Sequence, residues 1–140
     1  MKSFGNVLDN VEEGCERLVT PIKSELNDLK DHINKELSMA CGSGEFNTIR
    51  ILVNLGADPT HNKAMALLAS VMHDQLTSIN YLLVYSRAFD DPKTKSYLKD
   101  ALRIAKHRQS ITQDNTIIDQ LKEHYQFVFS SDIETDEVII

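Results

Sequence analysis

Six positions of this chain return 30 residues later with their small or apolar character kept. Leu37, Ala40, Phe46, Ile49, Leu52 and Val53 are followed by Leu67, Ser70, Leu76, Ile79, Leu82 and Leu83. Apolar steps of three and four inside a recurrence of that length fit a unit of two short helices. One such unit cannot bury its apolar face alone and must stack on a neighbour. Glycine marks the joints of the first unit. Gly42 and Gly44 end one helix, because Gly accepts the left-handed cap conformation, and Gly56 stops the next before a turn at Asp58-Pro59.

The same spacing extends upstream through Leu8, Val11, Cys15, Leu18, Ile22, Leu26, Leu29, Ile33 and Leu37. Thr20 is a good N-cap and Pro21 fits a first helical turn, so this region predicts two helices, about 6–19 and 21–41, meeting at Thr20-Pro21. Further helices are expected over about 45–54 and 76–86. Asp74 stands where the first unit has Gly44, and Ala88 to Pro92 loosely repeats the closing Ala-Asp-Pro with extra residues. A third, more degenerate unit starts at Leu102-Arg103-Ile104-Ala105. A polar connector, Gln109 to Asn115, leads to a second helix carrying Ile117, Ile118, Leu121 and Tyr125.

The stretch Leu37 to Pro59 resembles the body of an ankyrin repeat, a helix–turn–helix unit of about 33 residues. Leu37 and Ala40 match the family's first-helix leucine and small residue. Gly44 matches the turn, Phe46, Ile49 and Ile51 to Val53 the second helix, and Gly56-Ala57-Asp58 the closing turn. The resemblance covers two to three divergent repeats over about 35–127. It implies an all-α fold, a short solenoid of ankyrin-like helix–turn–helix repeats with N-terminal capping helices. The organisation expected is one domain over 1–140: a helical cap at 1–34, repeats at 35–129 and an acidic tail at 130–140.

Ankyrin arrays bind proteins and rarely carry chemistry, so the resemblance implies a non-enzymatic interaction module that binds, and inhibits or sequesters, a partner protein. Partners of the family dock on the concave face, formed by inter-repeat turns and exposed first-helix residues. On this chain the turns give His61, Asn62 and Lys63, then Asp90, Asp91 and Lys93. The first helices give Met72, His73, Arg103 and His107. Met39 and Met65 read as gap-filling core, the usual use of Met in helical repeats. A second reading is a small bacterial or viral effector, or the antagonist of one, engaging a host protein. A third is an all-helical enzyme or ligand-binding bundle.

Composition narrows the classes. A net charge of -6 argues against broad nucleic-acid binding, which needs phosphates neutralised by Lys and Arg. No apolar run reaches the roughly 18 residues of a membrane helix, and Met1 to Asn10 lacks a signal-like basic and apolar pair of segments. The two cysteines form no Cys-x-x-Cys pair, which fits reduced thiols in a cytoplasm, a host's if the chain is an effector. The five histidines form no His-x-x-x-His or His-Glu-x-x-His pattern, and Gly42-Ser43-Gly44 is followed by no Gly-Lys-Ser/Thr, so neither metal nor cofactor is expected. Cys41 reads as a buried structural thiol rather than a nucleophile. The basic island Arg103, Lys106, His107 and Arg108 reads as a solvated helix end. Ser130 to Ile140 reads as an acidic segment, exposed and mobile or docked on the domain, whose final Val-Ile-Ile suits addition to a partner's sheet edge.

Overall fold

The computed structural model describes residues 16–136, with side chains from residue 24 onward. These residues are helical, with no strand among them. The elements are α1 (Glu16–Ser43), α2 (Phe46–Asn54), α3 (His61–Met72) and α4 (Leu76–Asn80), which runs into a π turn (Tyr81–Tyr85). A 3-10 turn (Pro92–Thr94) leads to α5 (Lys95–Thr112), and α6 (Thr116–Phe129) follows. The chain divides into two units, Met1–Ile33 and Asn34–Ile140. No helix is long and apolar enough to cross a membrane among the described residues.

In the first unit the described stretch, 16–33, is helix. The break expected at Thr20-Pro21 is not there: residues on both sides of Pro21 belong to α1. A helix that carries Pro internally forgoes one backbone bond, here to the Arg17 carbonyl four residues back, and can continue past it. Most of the helix expected over 6–19 lies outside the described residues.

In the second unit the 30-residue recurrence is structural as well as sequential. Gly44 N–H donates to the Cys41 carbonyl at 3.3 Å, and Asp74 N–H to that of Val71 at 3.2 Å. Glu45 N–H donates to Ala40 and Gln75 N–H to Ser70, at 3.0 and 2.8 Å; then Ile49 donates to Glu45 and Ile79 to Gln75, both at 3.0 Å. Gly44 and Asp74 both adopt left-handed φ, +74° and +53°. Two turns of one design therefore join α1 to α2 and α3 to α4. The expected helices over 45–54 and 76–86 match α2 and α4 with its π turn. The third pair, α5 and α6, is joined instead through Gln113, which takes the left-handed cap at φ 59°.

The pairs pack in order. First helices α3 and α5 lie against one another, as do second helices α2 and α4. Leu37, Leu67, Ile49 and Ile79 are fully buried, and Ala40 and Ser70 fill the close approaches between helices. The Ser70 hydroxyl donates to the Ala66 carbonyl at 2.8 Å and faces that of Cys41 at 3.4 Å. In the third pair Leu102, Ala105, Ile118, Leu121 and Tyr125 form the buried face, with Ile117 half-buried.

The second pair departs from the first at one point. In α2 the Ile51 carbonyl accepts from Leu55, four residues on, at 2.9 Å. Its counterpart 30 residues later, the Tyr81 carbonyl, accepts from Ser86, five residues on, at 3.0 Å. The π turn thus takes in one extra residue. Register is then restored by repeated Asp-Pro turns: Asp58 Oδ1 accepts from Thr60 N–H, and Asp91 Oδ1 from Lys93 N–H, both at 2.9 Å.

Residues 130–136 do not hang free, which corrects the expectation of an exposed, mobile tail over that stretch. After the left-handed cap at Ser130 the chain turns at Asp132 and buries Ile133. The terminal Val-Ile-Ile lies outside the described residues.

Candidate protein-docking surface

The turn before α3 is built by short polar side chains. Asn34 Oδ1 accepts from Asp58 N–H at 2.7 Å, while Asp58 Oδ1 takes both the N–H and the hydroxyl of Thr60. Asn62, Lys63 and Ala64 then follow in left-handed conformation, at φ 53°, 57° and 61°. That conformation costs an L-residue about 1–2 kcal/mol, because its Cβ crowds the following carbonyl; Asn bears it best. What holds the turn is its inner end, where Ala64 is fully buried and donates its N–H to the Thr60 carbonyl at 3.0 Å. Asn62 and Lys63 are exposed as a result, and His61 is half-buried.

Met72 and His73 stand at the other end of α3, about 13 Å from Lys63 along an axis rising 1.5 Å per residue. His73 borders a groove of about 500 Å³ lined by Ser38, Met39, Gly42, Ser43, Met65 and Ala69. The floor is made of small residues. At Gly42 an added Cβ would come within 3.3 Å of the His73 ring, so the ring lies directly over the glycine. Met39 and Met65 rise beside it, 65% and 38% exposed, which corrects their reading as core. Sequence spacing alone does not reveal this, because a Met on the outer edge of a first helix has the same periodicity as one just inside it.

The remaining candidates are dispersed. Asp91 caps the 3-10 turn, so its carboxylate is committed to the Lys93 backbone N–H, leaving the Lys93 side chain exposed. Asp90 lies 3.7 Å from His124 Nε2, which also meets the Phe89 carbonyl at 3.1 Å. Arg103 pairs with Asp100 along one helix face at 3.1 Å, and His107 is exposed with its carbonyl accepting from Ser110. The structure therefore gathers His73 with Met39 and Met65. His61 to Lys63 form a separate turn, and Asp90, Asp91, Lys93, Arg103 and His107 lie on the third pair and the turn before it.

The basic island is largely engaged. Lys106 pairs with Glu134 at 3.2 Å. Arg108 grips Asp74 through Nε at 3.1 Å and Nη2 at 2.5 Å, bridging the second and third pairs beside a pocket of about 240 Å³. These hydrogen bonds raise the already high pKa of the guanidinium. Cys41 is fully buried, and burial pushes its thiol up to about 12, the state of an inert side chain rather than a nucleophile. Comparison with protein-family models, with curated proteins and with solved structures found no match.

Proposed function

We propose that this chain is a non-enzymatic protein-interaction module of ankyrin-like helical pairs, which binds a partner protein and inhibits or sequesters it. The observation that carries the reading is the groove at His73. Exposed Met side chains over a floor of Gly, Ala and Ser make an apolar, adaptable surface of the kind that accepts a partner's side chains or helix. The left-handed turn at the start of α3 adds a second element. It holds Asn62 and Lys63 outward in a strained conformation, a feature that concentrates at binding sites. The repeated turns of the first two pairs support the ankyrin-like architecture, because they set successive first helices side by side along the groove.

The test is affinity capture from the native cell, followed by titration of the identified partner with purified protein. Replacing His61, Lys63, Met72 and His73 together by Ala is expected to weaken binding at least about tenfold, or 1.4 kcal/mol. Surface substitutions shift stability by less than about 0.5 kcal/mol each, so the variant should remain folded. Undiminished binding by the folded variant removes this surface from consideration.

A further inference from the structure

We propose that the face shared by α5 and α6 is a recognition site for an acidic, isoleucine-anchored segment of a partner protein, which the chain's own residues 132–136 occupy in its absence. The site is described by its present occupant. The Asp136 carboxylate accepts from Tyr125 Oη at 2.5 Å and Lys95 Nζ at 2.9 Å, while its carbonyl accepts from Lys99 Nζ. Tyr125 is fully buried, so its hydroxyl is a fixed donor aimed at the segment. Glu134 lies between Lys106 and Lys122, at 3.2 and 2.7 Å, and Ile133 is 2% exposed. Four lysines thus converge on one short segment in a chain whose net charge is -6. Their positive charge selects an acidic occupant, and the apolar socket selects a branched aliphatic residue between the acids.

Two features make this an exchangeable site rather than a closed one. The Glu134 pairs are 38–47% exposed, and pairs so exposed hold weakly. Beside the segment runs a crevice of about 420 Å³ bordered by Gln126, Phe127 and Ile133, where Phe127 remains 89% exposed. A longer partner segment has apolar surface there that residues 132–136 leave uncovered. The site uses none of the residues assigned to the groove at His73, so the two readings stand or fall separately.

The probe is a fluorescein-labelled, end-capped peptide with the sequence of residues 130–136, titrated into the full chain by anisotropy. A cis segment competes at an effective concentration on the order of millimolar, so unmodified protein should bind the peptide weakly. The full-length variant Ile133→Ser/Glu134→Gln/Asp136→Asn should bind it at least tenfold more tightly. Adding Lys95→Glu and Lys122→Glu to that variant should remove the gain, as should Ser in place of Ile in the peptide. No gain in a variant that circular dichroism shows to be folded overturns the proposal. Should that variant fail to fold, the unmodified chain still decides. Excess peptide must speed amide exchange at Ser131 to Asp136, and unchanged exchange overturns the proposal equally. Tail-exchanged dimers of the unmodified chain, dissolved by the peptide, would make a second copy the occupant and overturn the partner reading.

Discussion

Identical repeat positions need not carry equal energetic weight, because burial differs between pairs. Leu67 and Leu82 are fully buried, whereas Leu52, the counterpart of Leu82, is only half-buried. Leu67→Ala and Leu82→Ala are expected to cost about 2–5 kcal/mol each in denaturant unfolding, with Leu52→Ala at or below the lower end. Ala40→Leu should overpack the helix crossing by about 1–3 kcal/mol. Cys41 gives a chemical check on the same core. Its raised pKa favours the neutral thiol in the fold, a contribution present below the unfolded value and lost as pH rises toward 12. Iodoacetamide at pH 8 should therefore spare Cys41 in the folded chain and modify it in urea, as read by peptide mass. Equal labelling in both states would place the thiol at the surface.

Among the elements, the docked segment 130–136 responds most directly to pH. Hydrogen bonds from Lys122 and Lys106 hold the Glu134 carboxyl below its ordinary range, and those from Tyr125 and Lys95 do the same for Asp136. Groups depressed in the fold stabilise it above their unfolded pKa, and that contribution fades as pH falls through the folded value. Docking should be complete at neutral pH and lost progressively below about pH 4, near the ordinary carboxylate values. Amide exchange at Ile133 and Asp136 should rise there before the exchange of α3 does. Much of the helical layout was legible in the sequence, since Leu37, Ile49, Leu67 and Ile79 announce their burial by spacing. The docked segment was not, because Asp-Ile-Glu-Thr-Asp has no periodicity and its partners Lys95, Lys99, Lys106 and Lys122 lie 12 to 41 residues away. The groove was half legible: His73 follows from the repeat register, but the exposure of Met39 and Met65 depends on how far each first helix is rotated. The continuity of α1 through Pro21 escaped because a proline signal states a cost, not a boundary.

At the scale of the whole molecule, helical pairs stack through first-helix and second-helix contacts that are partly independent, and the π turn shows how that independence is used. Val84 and Tyr85, within it, are 55% and 69% exposed and hold no buried position. Deleting Val84 should return the turn to ordinary α spacing, keep helical circular dichroism and cost no more than about 3 kcal/mol, the range of common substitutions. Deleting Leu68 from α3 would instead rotate Leu67 and Val71 out of phase, and cooperative unfolding is expected to disappear. The π turn thus works as an expansion joint between rigid spans. Insertions and deletions can accumulate in the second helices of such a chain without being transmitted along it. Its first helices, which border the groove, keep their phase and with it whatever surface they have come to recognise.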